Sequence, residues 1–196
     1  MRYSIRPVRA GEWREVRALR LDALRDPAAP LAFLDTYEAA VVRPEAYWRE
    51  RTESTAEGSA TGRQVVAVAP DGRWVGSVTA LLERPGQEVL FGEVPEVDQA
   101  HLVGVYLRSE ARGGGVAEKL LGAAVDWAWS LREPVVRRVR LYVHERNARA
   151  VGLYRKAAFL PSGRALPVKG EPGVVEREYE MWRLDGREDG EGPLGG

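Results

Sequence analysis

The apolar positions change period along the chain, and each change marks an element. Tyr3 to Val8 reads as a strand, and from Gly11 onward Trp13, Val16, Leu19 and Ala23 recur at helical steps until Asp26-Pro27 ends the pattern. Leu31 to Val42 is apolar without a clear period, and Pro44 then opens a short helix carrying Tyr47 and Trp48 on one side. Small polar residues from Glu53 to Gly62 read as a loop. Gln64 to Ala69 and Trp74 to Leu82 are β-rich runs joined by Pro70-Asp71-Gly72, which predicts an antiparallel hairpin. A polar connection over 83–98 leads to a central strand at about 100–107, and a helix over about 114–131 follows, burying Val116, Leu120, Leu121, Ala124, Val125 and Trp127 or Trp129 before Pro134. Arg138 to His144 reads as a strand, and Asn147 to Ala158 as a short helix with an Asn N-cap. Phe159 to Leu166 and Val174 to Leu184 read as two last strands. The order predicts an α/β fold of the α+β type, with hairpin neighbours antiparallel and the strand-helix-strand units parallel. Residues 1–184 form the expected single domain, and 185–196, rich in Gly and acid with no period, the expected disordered tail.

Composition narrows the chemistry more than the fold. At 196 residues one domain buries roughly 70% of its unfolded surface, so one core suffices. The 29 basic and 29 acidic residues cancel, giving no reason to expect nucleic acid or a membrane as partner. Cysteine is absent, which excludes disulfides, thiolate metal sites and a cysteine nucleophile, and two histidines leave no His-rich metal site. Carboxylates, hydroxyls, an imidazole or backbone groups must carry any reaction. With no apolar run near ~20 residues and no signal-peptide layout, a cytoplasmic protein is expected.

The most informative stretch is His101 to Leu120, where an apolar strand passes through a polar turn into Gly113, Gly114 and Gly115 and directly into a helix. Successive glycines let backbone N–H groups converge on an anion, and the helix adds the positive end of its dipole. Two phosphate-loop patterns fail here. A P-loop needs Gly-Lys-Ser/Thr, but Lys119 stands between Glu118 and Leu120; a dinucleotide fingerprint starting at Gly113 needs glycine where Glu118 stands. A lone Arg-Gly-Gly without repeats or a basic patch is a weak nucleic-acid signal.

The spacing Arg112-x-x-Gly115-x-Ala117 resembles the pyrophosphate loop [QR]-x-x-G-x-[GA] of the GNAT superfamily of acyl-CoA-dependent N-acetyltransferases. A second segment, Asn147-x-x-Ala150-x-x-Leu153-Tyr154-x-x-x-Ala158-Phe159, resembles that family's N-x-x-A-x-x-L-Y-x-x-x-G-F pattern and follows at the proper separation. Ala158 departs from the family's glycine, which concerns the tightness of that helix end. The resemblance extends loosely from the first strand to about Leu184. It implies a single-domain, largely antiparallel mixed sheet flanked by helices, with a central strand-loop-helix site for acetyl-CoA as co-substrate and no metal. It further implies that the amides of Gly113, Gly114, Gly115, Val116 and Ala117 cap the pyrophosphate, with Arg112 or Arg108 adding charge. Backbone groups of Val105, Tyr106 and Leu107 would receive the pantetheine arm, Asn147 would meet the cofactor, and Tyr154 would protonate the departing thiolate.

Attack on the thioester needs a neutral amine, so a base is required. Glu93, Glu96, Asp98 and His101 are candidates, an imidazole of ordinary pKa near 6.5 being suited to neutral pH. Glu93 and His101 are taken forward as catalytic candidates beside Tyr154. The expected activity is direct acetyl transfer to a primary amine of a small molecule or protein, with a non-catalytic acyl-CoA-binding regulatory module as the alternative. The acidic 83–98 connection suggests a cationic acceptor, and a homodimer is possible by family analogy. Trp13, Tyr37, Tyr47 and Trp48 are read as core rather than acceptor-lining residues.

Overall fold

A computed structural model describes residues 3–89 and 91–184. The expected tail, 185–196, lies outside them. Strand β1 (Ser4–Pro7) leads into helix α1 (Trp13–Arg25), which ends where Asp26 turns extended (ψ 137°), as a residue before proline is biased to do. The ambiguous stretch that follows resolves into a 3-10 turn (Ala29–Leu31) and helix α2 (Tyr37–Val41), whose Thr36 side chain caps the Ala39 N–H. Helix α3 (Glu45–Glu53) starts one residue later than proline placement predicts, since Pro44 takes the N-cap. Then come β2 (Gly62–Val68), β3 (Trp74–Glu83), β4 (Gln99–Leu107), α4 (Val116–Ser130), β5 (Arg138–His144), α5 (Ala148–Lys156), β6 (Leu160–Pro167) and β7 (Val175–Trp182).

Among the described residues these strands form one seven-stranded sheet in the order β1-β2-β3-β4-β5-β7-β6, antiparallel throughout except for β4 with β5. Strand alternation gives the sheet two different faces. On one, Val65, Ala67, Val78, Ala80, Ala100, Leu102, Val139 and Leu141 meet Leu120, Leu121, Ala124 and Ala128 of α4 in the main core. Ala128 is fully buried there, while the expected Trp127 and Trp129 are only partly buried, because the small residue faces the sheet and the indoles flank it. On the opposite face, Val16 and Leu19 of α1 pack on Val66 and Trp74. Trp13, Leu21, Leu24, Ala40 and Trp48 form a third cluster with Tyr37 and Tyr47 against it, so these aromatics are core. No helix among the described residues is long and apolar enough to cross a membrane.

One irregularity positions everything that follows. Ser77 pairs with Tyr106 and Thr79 with Val103, so β4 carries one residue more than β3 across this interval. Gly104, at φ 63°, lies in that bulge and supplies the left-handed backbone that a side chain would resist. The pairing of β4 with β5 covers only Gln99 to His101 opposite Arg138 to Arg140. Beyond those three pairs the parallel strands part, leaving the β5-facing edge of Leu102 to Leu107 without a strand partner.

Candidate active site

At the open end of this split lies the glycine loop. Gly113 and Gly115 have φ of 81° and 74°, and Gly115 is the N-cap of α4 without any side-chain cap. Among the described residues the N–H groups of Gly113 to Ala117 have no intramolecular acceptor, the first helical bond being Lys119 N–H to the Gly115 carbonyl. A Cβ built at Gly113, Gly114 or Gly115 would meet nothing within 4 Å. Unpaired amides, empty space above them and a helix N-terminus are what a pyrophosphate requires, so the loop fits acetyl-CoA. The unpaired edge of β4 likewise offers backbone donors and acceptors to an extended amide-bearing arm.

Two ion pairs hold the loop against α1. Arg108 bonds Asp22 and the Trp74 carbonyl (3.0 Å), while Arg112 bonds Asp26 and the Leu107 carbonyl (2.8 Å). The Arg112 guanidinium is thus already neutralised by Asp26, which leaves the loop's unpaired amides as its free donors. Burial opposes ionisation of Asp26, but the Ala28 amide and Arg112 outweigh it and hold the carboxyl below its usual range. The sequence expectations give neither Asp22 nor Asp26 a part in this loop. Their i, i+4 spacing matches that of Arg108 and Arg112, which is the signal that pairs them.

Tyr154 lies on α5 within the main core, edge-to-face with Phe159. Its hydroxyl has no hydrogen-bond partner among the described residues. Burial, with a smaller contribution from the charge of Glu176, pushes the phenol pKa up, so the group keeps its proton at neutral pH. Asn147 caps α5 by accepting the Ala150 N–H (3.1 Å), and its amide reaches the Leu31 carbonyl at 3.4 Å. Its capping role is therefore the one the geometry displays.

His101 is 5% exposed, and its Nδ1 lies 3.0 Å from Glu83 Oε1. Burial opposes ionisation of Glu83, yet His101, Gln99 and Arg140 more than offset it and hold its carboxyl below the usual range. An ionised carboxylate can only accept, so Nδ1 carries the hydrogen and the lone pair of the neutral ring is on Nε2. Glu83 belongs to a charged network across four strands. Arg140 donates to Glu83 (3.0 Å) and Glu178 (3.2 Å), Arg138 to Glu178 and to Glu180 (2.6 Å), Tyr142 to Glu178 (2.7 Å), and Gln99 to Glu83 (2.6 Å). The sequence carries a signal for it: arginines at alternate positions of β5 (Arg138, Arg140) and glutamates at alternate positions of the neighbouring β7 (Glu178, Glu180) lie on one face of the sheet.

Glu93 is exposed and its carboxylate engages Arg164 of β6 at 3.2 Å, with Glu96 3.9 Å from the same guanidinium. Asp98 pairs with Arg84 at 3.0 Å. The acidic connection is thus largely neutralised from within: Glu83 is inside the sheet, and Glu93, Glu96 and Asp98 have arginine partners. The structure brings His101, Glu83 and the β4 split together, and it turns the Glu93 carboxylate toward Arg164.

Comparison with known proteins agrees with this geometry. A family model described as the acetyltransferase (GNAT) family matches residues 21–159. No curated protein is significantly similar in sequence. Among solved structures, a GNAT-family acetyltransferase from Streptococcus pneumoniae superposes with a TM-score of 0.71 at 16% identity, covering 93% of this chain and all (100%) of that one. Arabidopsis thaliana NAA60 in complex with acetyl-CoA gives 0.64 at 19% identity over 92% and 98% of the two chains. A phosphinothricin acetyltransferase from Sinorhizobium meliloti in complex with AcCoA gives 0.67 at 18% identity over 93% and 89%. With more than half of the sequence inside the family model, and with a split sheet and an amide cradle suited to acetyl-CoA, the chain belongs to the GNAT family of acetyl-CoA-dependent N-acetyltransferases.

Proposed function

We propose that the protein transfers acetyl directly from acetyl-CoA to a primary amine, with His101 as base and Tyr154 as acid. The observation that carries this reading is the parting of β4 from β5 beyond His101, with the unpaired amides of Gly113 to Ala117 at its open end. Bound acetyl-CoA supplies the reactive thioester. The loop amides hold its pyrophosphate, and the free edge of Val105 to Leu107 aligns its arm, so that a β4 N–H donates to the thioester oxygen. His101 Nε2 takes the proton of the attacking amine, with Glu83 holding the ring through Nδ1. Tyr154, kept protonated by its buried setting, donates at sulfur as the thiol leaves.

Titration with CoA followed by steady-state thiol release tests the reading. Saturable CoA binding and amine-dependent thiol release are expected. Tyr154→Phe is expected to lower kcat by about 100-fold or more while leaving CoA affinity within roughly twofold. Unchanged kcat in this variant removes Tyr154 from the mechanism, and absence of CoA binding to the wild type overturns the reading as a whole.

A further inference from the structure

On the α1 side of the sheet, a narrow cleft enclosing about 20 Å³ and open to solvent at its mouth lies between α1, α3 and the strands β2 to β4. Its lining contains two arginines, Arg20 of α1 and Arg51 of α3, and no acidic side chain. Arg20 stacks on Phe33 at 4.4 Å, and its one carboxylate neighbour, Asp35, stands 3.9 Å away. Both oxygens of that carboxylate are held by Arg43 at 2.8 and 2.9 Å. Arg51 has no ion pair or side-chain hydrogen bond among the described residues. The cleft floor is polar and equally unpartnered: the side chains of Gln64, Ser77, Thr79 and Tyr106 make no hydrogen bond among the described residues, although Ser77 and Thr79 are 7% and 6% exposed. Burial and then the charge of Arg51 push the Arg20 pKa down to about 10, so its guanidinium remains charged at neutral pH without a full counter-charge. Two half-buried cations beside hydroxyl and amide groups that make no hydrogen bond within the protein offer an anion several donors at the solvent-facing cleft.

The cleft also ends in the right place. Gly104 and Tyr106 line it, and they flank Val105 on the β4 segment whose other edge is free beside β5. His101 lies on the same sheet face, since Thr79 of the lining pairs with Val103 and Leu81 with His101.

We propose that the acetyl acceptor is a small amine bearing an anionic group, in the manner of an amino acid, with its carboxylate held by Arg20 and Arg51 and its amine directed to the β4 bulge. This rests on the reading of the chain as an amine acetyltransferase and reverses the cationic acceptor suggested by the 83–98 residues, of which Glu83, Glu93, Glu96 and Asp98 have partners within the protein. The amine nitrogen forms the C–N bond to the acetyl carbon as the C–S bond breaks; its proton goes to the base, and sulfur leaves with a proton as CoA thiol.

The test compares acetyl-CoA turnover on amino acids, aminoalkyl phosphonates, the matched amino acid amides and polyamines, using the full chain. Turnover of the anionic amines is expected with kcat/KM at least about tenfold above their neutral amides, the two anionic sets distinguishing carboxylate from phosphonate. Arg51→Gln and, separately, Arg20→Gln are expected to lower kcat/KM for the anionic amine by about 10- to 100-fold, mainly through KM, and to abolish the preference over the amide. CoA affinity is expected to stay unchanged, which separates this outcome from misfolding or loss of the co-substrate site. Preference for polyamines or amides, or an anionic preference that survives in both arginine variants, overturns the proposal while leaving the acetyltransferase reading intact. If no amine turns over, saturable binding of the free amino acids to the CoA-loaded protein, lost in Arg51→Gln, still supports it; no such binding overturns it.

Discussion

Ala158 stands at φ 66°, the single non-glycine residue with positive φ among the described residues. It follows the C-cap of α5, where Phe159 N–H bonds the Tyr154 carbonyl (3.0 Å) and Ala158 N–H the Arg155 carbonyl (3.0 Å). This is the Schellman arrangement, and its left-handed position favours glycine because a Cβ there crowds the following carbonyl. The same bonds set Phe159 against the Tyr154 ring, so the strain at Ala158 is part of what positions the proposed acid. Ala158→Gly relieves the crowding at some cost in unfolded-chain entropy, and a net stabilisation of about 0.5 kcal/mol is expected from urea unfolding. A loss of stability in that variant would show that the alanine methyl makes a packing contribution larger than the backbone strain.

At the scale of elements, the strand-loop-helix unit β4-α4 combines two backbone devices, a bulge that parts the sheet and a glycine turn that presents free amides. Gly114 separates steric occupancy from backbone strain, because it lacks a positive φ and an added Cβ would meet nothing within 4 Å. Gly114→Val is therefore expected to unfold within about 0.5 kcal/mol of the wild type and to bind CoA at least about tenfold more weakly, its side chain filling the space the phosphates need. Calorimetric titration beside thermal unfolding reads both quantities. Unchanged affinity would place the pyrophosphate elsewhere. The ion pairs Arg108 to Asp22 and Arg112 to Asp26 complete the unit by tying it to α1, so one helix supports both the glycine loop and the wall of the arginine cleft.

Across the whole molecule, the network from Glu83 to Glu180 links β3, β4, β5 and β7 on the face opposite α4. Glu178 is 1% exposed and accepts from Arg138, Arg140 and Tyr142. Glu178→Ala leaves two buried guanidinium groups short of a partner, and a loss of about 3–5 kcal/mol in unfolding free energy is expected. The network also sets acid stability. Burial works against the charged forms of Glu83 and Glu178, but their hydrogen bonds and arginines hold both carboxyls below the usual value of 4.5. A depressed folded-state pKa contributes stability that is complete above the unfolded value and is lost as pH falls through the folded one. Unfolding midpoints are thus expected to hold steady above about pH 5 and to drop progressively below about 4.5. Glu176, whose carboxyl burial raises despite His144, opposes this trend, with Asp26 and Glu12 on the side of the majority. A midpoint that stayed flat down to pH 3 would contradict the assignment.

What the amino-acid order determined by itself was local. Period-two and helical runs, Pro70-Asp71-Gly72, the Asn147 cap and the three glycines each encode their structure within a few residues, so the strand and helix order and the amide cradle were legible. What only the tertiary structure decided depends on residues far apart in the chain. Asp26 finds Arg112 at a separation of 86 positions, Arg140 finds Glu83 at 57, and Arg20 and Arg51 converge because α1 and α3 pack over the same strands. A charge on a strand reads the same whether it meets solvent or a partner. Its burial, its protonation and the counter-charge that the arginine cleft lacks follow from which elements the fold lays against one another.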